Sequence, residues 1–465
     1  MSETNTQPKD CFEIGGEDLV ASAPTESVEG SAPAGGTATQ PLPRETLDDI
    51  CVRVGTLLKT ETVSFLLGAG ASVDCGGPLI GTIPLMVEQD MLKKGIPDDN
   101  SWNSWLEIFY VAVRYCADNA NTPITRDEII KRRERLKVAN ADKLPVNFEQ
   151  VLATLHRWRA AMPKTGGRLQ LDGSPGLDAK SEDVDECLGY ATRALARACQ
   201  LPTTGREGGL STYKTLVRKL LTRPLNLKRV NIFTLNYDTL VEQAADAEGV
   251  VLLDGFVGTL RRIFRPESYE QDLYFPAETT EGRVHRFDRV LHLYKLHGSI
   301  TWRATEPSID NPYGVEAGVF DSDGKEPLLI YPTPAKYGET LGLPYSELFR
   351  RFAAAVVRPQ SVLFVIGYGF GDEHVNAIIR QALAVPSFTL VIVDPAPKSN
   401  FVKTLRKQKD RRVWIAAGPS LGTLAGFVEH VLPDLRDEEI RKKVLATHRA
   451  LAKNISTTED TSNGD

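Results

Sequence analysis

The stretch VSFLLGAGAS, residues 63–72, decides the fold. Its first five residues form a short run that is apolar except for Ser64, and the run ends abruptly in glycines. A strand that is covered by helices on both faces has this composition, because neither face needs to alternate with polar residues. The stretch therefore predicts a buried strand that carries a glycine-rich turn to the edge of a parallel sheet.

Five later apolar segments repeat this pattern, with helical patterns between them. The segments are 230–234, 290–296, 362–366, 389–393 and 413–416. An alternation of buried strands and helices is typical of α/β proteins. We therefore predict a doubly wound, mostly parallel, six-stranded Rossmann-like sheet.

Roughly 150 residues separate the first two strands, which is too long for a simple crossover. Because the apolar positions in this stretch recur at helical spacing, we expect a large helical insert subdomain over residues 84–225. The sheet domain then comprises residues 45–83 and 226–434.

Both ends of the chain differ in composition from the rest. Residues 1–44 are rich in small and polar residues, and they are expected to be a disordered tail outside the fold. Residues 435–453 are expected to form a charged C-terminal helix, and residues 454–465 a second disordered tail.

Composition restricts the class of protein. The 465 residues are 42% apolar and carry a formal net charge of -6 without a basic block, which argues against direct nucleic-acid or membrane binding. The six cysteines are scattered without a C-x-x-C pair, so we expect neither a zinc site nor a disulfide framework. Without a signal sequence or an apolar run of transmembrane length, the protein is expected to be cytoplasmic.

The candidate site residues follow directly after the predicted strands. Ligands of open α/β sheets bind beyond the carboxyl ends of the strands, so these positions should meet in one site. They are Gly68, Ala69, Gly70 and Ser72; Asn236 and Asp238; His297; Gly367, Tyr368 and Gly369; and Asp394.

The turn Gly68 to Ser72 suits a phosphate, since glycines let backbone N–H groups approach it and the Ser72 hydroxyl adds a donor. The alternative is a tight turn whose glycines have positive φ angles.

Asn236 and Asp238 offer an amide and a carboxylate to ribose hydroxyls or a carboxamide. Their alternative role is an Asx turn or a helix N-cap.

His297 lies directly after a predicted strand. Histidine is the side chain whose ordinary pKa is close to neutral pH, so it is the natural candidate for an acid or base here. His374 competes with it, but His374 lies at a predicted helix start, where capping by the preceding residues is the simpler account. Asp394 occupies the place of the acidic residue that binds ribose hydroxyls in dinucleotide folds. Both Asp394 and the 367–369 loop have an alternative role as turn residues.

In this order, the motifs resemble those of the sirtuin-like family. They are GAGAS at 68–72, TLNYD at 234–238, LHGS at 296–299, GYG at 367–369 and VD at 393–394. The resemblance implies NAD as the substrate, contacts from Asn236 and Asp238 to the nicotinamide ribose and nicotinamide, and His297 as the base. It also implies that the residues around Gly68, Gly367 and Asp394 bind the rest of the dinucleotide.

Two departures from deacylating sirtuins matter. The chain has no four-cysteine zinc ribbon, and residues 76–80, GGPLI, lack the arginine that follows the glycine loop in those enzymes. The segments DGFVG at 254–258 and YKLHGSI at 294–300 are instead similar to the bacterial branch that hydrolyses NAD in antiphage defence. Members of that branch, including the sirtuin-like subunit of sirtuin–HerA systems, have a helical insert in place of the zinc module.

The sequence thus predicts an NAD glycohydrolase that releases nicotinamide and ADP-ribose without a metal, as a conditional effector that depletes NAD. Because an unrestrained NAD hydrolase would poison its own cell, we expect control from outside the chain, either by self-assembly into a homo-oligomer through the helical insert or by docking a separate partner. The resemblance implies that such a partner is a HerA-type ATPase or an Argonaute-like protein. Two alternatives stay open. One is a non-catalytic subunit that binds NAD or ADP-ribose for regulation or assembly, and the other is a protein deacylase or ADP-ribosyltransferase.

Overall fold

A computed structural model describes most of the chain. The described residues are 9–21, 44–96, 102–117, 125–136, 144, 146–163, 166–170, 178–201, 207–275, 285–319, 327–329 and 344–436. Much of the predicted N-terminal tail, residues 437–453 of the predicted C-terminal helix and the tail 454–465 lie outside them.

A nine-stranded mixed sheet forms the centre of the molecule. In spatial order its strands are Glu17–Asp18, Cys11–Ile14, Val413–Ala417, Thr389–Val393, Ser361–Ile366, Thr62–Leu67, Asn231–Thr234, Val290–Lys295 and Val251–Leu253. The last seven pair in parallel, and the first two are added by antiparallel pairing. The six predicted strands lie side by side in this sheet, so the α/β prediction with a mostly parallel sheet is confirmed, whereas the count of six is wrong.

The N-terminal segment accounts for two of the additional strands. Cys11–Ile14 lies in the region that the sequence analysis placed outside the fold, yet it pairs with Val413–Ala417 at the sheet edge. Phe12 is completely buried there, and Glu13 accepts two hydrogen bonds of 2.9 Å from Arg406. Four residues are too few to change the composition of a long polar stretch. Composition therefore wrongly predicted that this segment lies outside the fold.

Helices cover both faces of the sheet. The α-helices of the described residues are Arg44–Leu58, Ile83–Gly95, Ser104–Cys116, Arg126–Leu136, Phe148–Ala160, Ser181–Cys199, Glu207–Leu220, Leu240–Glu248, Tyr345–Val356, Glu373–Leu383, Asn400–Gln408 and Leu424–Gly426. Two 3₁₀ turns span Ala69–Cys75 and Pro266–Glu270, and a π turn spans Phe427–Val431. Within the described residues, no helix combines the length and apolarity needed to cross a membrane.

The strand Thr62–Leu67 shows how the two faces are buried. Phe65 packs in one core with Leu216 of the helix Glu207–Leu220, while its neighbour Leu66 packs in the opposite core with Phe352. Successive strand side chains point to opposite faces, so a strand covered on both sides is mostly apolar on both faces. This requirement explains the run from Val63 to Leu67, in which Ser64 is the one polar residue and is itself buried.

Among the described residues between 83 and 199, five helices pack around a separate core. Trp105, Phe109 and Leu155 lie at its centre. Glu88 is completely buried beside them and accepts two hydrogen bonds of 2.9 Å from Arg132, whose side chain is 12% exposed. The helix Glu207–Leu220 falls within the predicted insert, but its apolar residues belong to the core of the sheet.

A second, five-stranded antiparallel sheet was not predicted. Its strands in spatial order are Pro327–Leu329, Gly298–Ala304, Val315–Ala317, Arg262–Phe264 and Phe256–Val257. The longest of them begins directly after His297, so that this sheet and the central sheet meet at the candidate site. Short strand pairs also join Tyr274–Phe275 to His285–Arg286 and Arg168–Gln170 to Asp178–Lys180.

Candidate functional site

Two glycine turns pack against each other at the carboxyl edge of the sheet. They follow the adjacent strands Thr62–Leu67 and Ser361–Ile366. The Gly70 N–H donates to Gly367 O at 2.8 Å, and a Cβ on Gly68 would lie 2.6 Å from the same oxygen. Gly367 has a φ of 64°, and a Cβ there would lie 2.3 Å from Ala71 N. The glycines are therefore required for the close approach of the two turns.

This packing changes the interpretation of the first turn. The Gly68 N–H donates to Ile366 O, and the Ala71 N–H donates to Gly68 O. Together with the Gly70 bond, three backbone donors that the sequence analysis offered to a phosphate bind protein carbonyls. A tight turn accounts for these donors better than a phosphate site does, but neither Gly68, with a φ of -107°, nor Gly70 has the positive φ that this alternative expected.

Ser72 connects the first turn to the segment after the strand Asn231–Thr234. Its hydroxyl donates to Asp238 Oδ2 at 2.7 Å and accepts a hydrogen bond of 2.9 Å from Asn236 Nδ2. Ser72 is only 2% exposed, and Tyr213 Oη lies 3.4 Å from its Oγ. Because a hydroxyl has one proton to donate, the donor predicted for a phosphate is directed to Asp238.

Asn236 is held in one orientation. Its Nδ2 donates to both Gly68 O and Ser72 Oγ, each at 2.9 Å. A backbone carbonyl can only accept, so the atom that faces Gly68 must be the nitrogen, and this settles which way the amide points. The half-buried Asn236 therefore directs its Oδ1, a hydrogen-bond acceptor, away from the glycine turn.

Asp238 has protein partners on both carboxylate oxygens. Oδ2 accepts from Ser72, and Oδ1 accepts from the Leu240 N–H at 3.1 Å at the start of the helix Leu240–Glu248. The second bond is the Asx turn that the sequence analysis held as the alternative. The structure thus places Asp238 beside Asn236 as a support of the segment.

Lys295 lies beneath this segment and was not recognised in the sequence. Its ammonium group is buried and donates to Asp238 O and, at 2.8 Å, to Glu242 Oε1. Burial raises the pKa of Glu242, and the charge of Lys295 opposes that shift.

Cys199 is a buried thiol whose electrostatic neighbours include Asp238 and Lys295. Burial raises the pKa of Cys199 to about 12, with the Asp238 carboxylate acting in the same direction, so this thiol is not an activated nucleophile.

His297 lies in the connection between the two sheets. It is 5% exposed, and its Nε2 lies 3.3 Å from Asp372 Oδ2. Oδ1 of the same aspartate accepts from the N–H groups of His374 and Val375, so Asp372 is the N-cap of the helix Glu373–Leu383. The capping interpretation for His374 is correct, but sequence reasoning missed that the capping residue also contacts His297.

The Gly367–Asp372 loop is fixed by Tyr368. This side chain, a candidate for contacting the dinucleotide, is 7% exposed, and its hydroxyl binds both the N–H and the C=O of Asp372 at 3.0 Å. Burial, with Asp372 adding to it, raises the pKa of Tyr368 well above its ordinary value. Gly369 is exposed, and a Cβ there would meet no atom within 4 Å.

Asp394 follows the strand Thr389–Val393 at the same edge. Its Oδ1 accepts from the Ala396 N–H at 2.8 Å, which is the turn contact held as its alternative. Burial raises the pKa of this carboxyl, while the Ala396 N–H and Arg406 act in the opposite direction.

The structure connects most of the predicted residues through direct contacts. Asn236 binds Gly68, the Gly68 turn packs on Gly367, the adjacent Tyr368 binds Asp372, and Asp372 contacts His297. The strands that supply these residues are neighbours in the sheet, so their carboxyl ends form one continuous edge. No group of three His, Cys, Asp or Glu side chains able to hold a metal occurs in the part of the chain that is described.

Comparisons with known proteins show which proteins part of this chain is similar to. A family model described as a SIR2-like domain matches residues 230–417, and no curated protein matches the chain. One similar solved structure is a triple mutant of Sir2 homologues in complex with 2'-O-acetyl ADP-ribose, at 13% identity and a TM-score of 0.34, covering 82% of this chain and 95% of that chain. Another is a Sir2 homologue in complex with NAD, at 12% identity and a TM-score of 0.31, covering 83% of this chain and 93% of that chain. The stretch that matches the SIR2-like domain contains Asn236, His297 and Asp394.

Proposed function

We propose that this protein is an NAD glycohydrolase, which cleaves NAD to nicotinamide and ADP-ribose. The observation that carries the proposal is that Asn236, with its amide held in one orientation, and His297 both lie along one edge of the sheet, joined by the chain of contacts described above. Both residues lie within the SIR2-like domain. An acceptor and a base are the two groups that water-dependent cleavage of this bond requires.

The reaction breaks the bond between ribose C1′ and the nicotinamide nitrogen. The bonding electrons move to the nitrogen, so nicotinamide leaves as a neutral molecule without a general acid, and an oxocarbenium-like ribose is left. A water oxygen then forms the new bond to C1′. In this proposal Asn236 Oδ1 accepts a hydrogen bond from the water or from a ribose hydroxyl, and His297 takes the proton of the water.

Of the remaining candidate residues, some hold Asn236 in place and others line the edge where NAD would bind. We assign Ser72 and Asp238 to holding Asn236, because their polar atoms bind one another and the segment around them. This assignment replaces the expectation that Asp238 contacts the nicotinamide of NAD. The exposed Gly369 and the half-buried Ala69 and Asp394 line the same edge, where we place the rest of the dinucleotide.

The test is incubation of the purified chain with NAD, followed by separation of the products. We expect nicotinamide and ADP-ribose in equal amounts, increasing with time and with protein concentration. The proposal is wrong if NAD binds saturably and comes back unchanged.

That outcome would favour a second function, a regulatory or assembly subunit that binds NAD or ADP-ribose without turnover. The observation in its favour is burial, since His297 is 5% exposed and Ser72 is 2% exposed. Side chains that are this deeply buried and fixed can bind a ligand without reacting with it. Calorimetric titration with NAD and product analysis on the same sample separate the two functions.

The biological setting follows only from the resemblance of the motifs. We propose a conditional effector of antiphage defence that depletes NAD, acting as a homo-oligomer or with a HerA-type ATPase or Argonaute-like partner. Gel filtration combined with nicotinamide release tests this idea. It predicts that activity increases with assembly or with added partner, whereas a fully active monomer would contradict it.

A further inference from the structure

Asp372 divides its carboxylate between two tasks. Oδ1 accepts from the His374 N–H at 2.9 Å and from the Val375 N–H at 3.4 Å, which caps the helix Glu373–Leu383. Oδ2 lies 3.3 Å from His297 Nε2. Asp372 and His297 are 7% and 5% exposed, respectively, so their contact is largely shielded from water.

The contact determines which nitrogen of His297 is basic. A carboxylate only accepts, so the nitrogen that faces it carries a proton. In the neutral ring the lone pair is then on Nδ1, which is the atom that can take a proton from water. When it does so, the negative charge of Asp372 stabilises the imidazolium.

The position of the carboxylate is itself fixed. The Tyr368 hydroxyl binds both the N–H and the C=O of Asp372 at 3.0 Å, and Asn376 Nδ2 donates to Phe370 O at 3.0 Å within the same loop. The helix that Asp372 caps also favours a negative charge at its N-terminus. The loop therefore presents an aspartate that is held from both sides, as a preorganised partner for a base should be.

We propose that Asp372 is the positioning residue of His297, fixing the tautomer and orientation of its ring and stabilising the imidazolium during turnover. This inference rests on the proposed function, because only a reaction that uses His297 as a base needs the device. The helix cap makes a clean test possible, since asparagine caps helices as well as aspartate does. Asp372→Asn should keep the cap and lose the negative charge.

The experiment compares nicotinamide release and urea unfolding for three proteins. In Asp372→Asn we expect an unchanged unfolding midpoint and a KM for NAD within about twofold, with kcat reduced on the order of 100-fold, the lower range of general-base contributions. The matched control is Ser399→Ala, which removes the cap of the helix Asn400–Gln408, where Ser399 Oγ accepts from the Val402 N–H at 3.2 Å. It should lower the unfolding midpoint and leave kcat unchanged.

A spectroscopic measurement on the same proteins does not depend on turnover. After 15N labelling of the seven histidines, the spectrum of His297→Gln identifies the ring signals of His297. The wild type should show a neutral ring protonated at Nε2, and Asp372→Asn should show a mixture with the other tautomer. Wild-type protein that releases no nicotinamide but shows this change would refute the glycohydrolase and support the positioning contact. Unchanged ring signals together with an unchanged kcat in Asp372→Asn would overturn the inference.

Discussion

A methyl group at Gly70 tests the packing of the two glycine turns. A Cβ at this position would lie 2.8 Å from Gly367 Cα and 3.0 Å from Gly367 O. Both neighbours are backbone atoms, so no rotamer change can relieve the contact. The turns would have to separate by roughly 0.6 Å or more to reach an ordinary carbon–carbon distance.

The expected cost can be estimated from three effects. Overpacking of this kind costs about 1–3 kcal/mol. Stretching the 2.8 Å bond from Gly70 N–H to Gly367 O adds roughly 0.5–1.5 kcal/mol. Replacing glycine reduces the entropy of the unfolded chain, which returns about 0.4–1 kcal/mol. We therefore expect Gly70→Ala to lower the free energy of unfolding by about 0.5–4 kcal/mol.

Urea unfolding measures this difference, with Gly81→Ala as the matched control. A Cβ on the exposed Gly81 would meet no atom within 4 Å. The control should unfold within about 0.5 kcal/mol of the wild type. Gly70→Ala should also release nicotinamide more slowly, because the moved turn carries the Gly68 carbonyl that orients Asn236. If Gly70→Ala is as stable and as active as Gly81→Ala, the description of the two turns is wrong.

Three further substitutions probe other parts of the structure. Ser72→Ala removes the partner of Asn236 and should slow nicotinamide release at least about tenfold while costing about 1–2 kcal/mol of stability, and an unchanged rate would contradict the role given to Ser72. Burial lowers the pKa of His292 to about 4, and its ring nitrogens have no hydrogen-bond partner. Because the unfolded chain binds a proton at this residue near pH 6.5 and the folded chain does not, its contribution to stability is lost as the pH falls from 6.5 through 4, by about 2 kcal/mol at pH 5. His292→Gln should show a correspondingly smaller difference between urea midpoints at pH 7 and pH 5, and an identical difference would contradict the assignment. Glu88→Gln removes the carboxylate that pairs with Arg132 and should cost about 3–5 kcal/mol in the same assay, whereas a loss below about 1 kcal/mol would show that the pair is not effectively buried.

The sequence was informative about the central strands because burial on both faces favours runs that are mostly apolar, without regular polar alternation. The same reasoning cannot detect Cys11–Ile14, which consists of four residues and has Phe12 as its fully buried apolar side chain. It also missed the second sheet, whose strands contain two to seven residues and lack a sustained alternation. Short strands that are stabilised by distant partners leave little local signal.

For the candidate site, the sequence predicted which residues lie at the edge of the sheet better than it predicted what each residue does there. Residues after neighbouring parallel strands meet at one edge, which is why Asn236, Gly367 and His297 are connected. Their partners come from distant parts of the chain, so they could not be inferred from local spacing. Gly70 packs against Gly367, and Asp372 reads locally as a helix cap although it also contacts His297.

The most direct test of the central claim is the rate of nicotinamide release from NAD by the wild type, Asn236→Ala and His297→Ala under identical conditions. Circular dichroism and NAD titration of each variant verify that folding and binding persist. We predict that the wild type releases nicotinamide and that each variant loses on the order of 100-fold in rate. Equal rates in all three proteins would contradict the assignment of Asn236 and His297 to the cleavage of NAD.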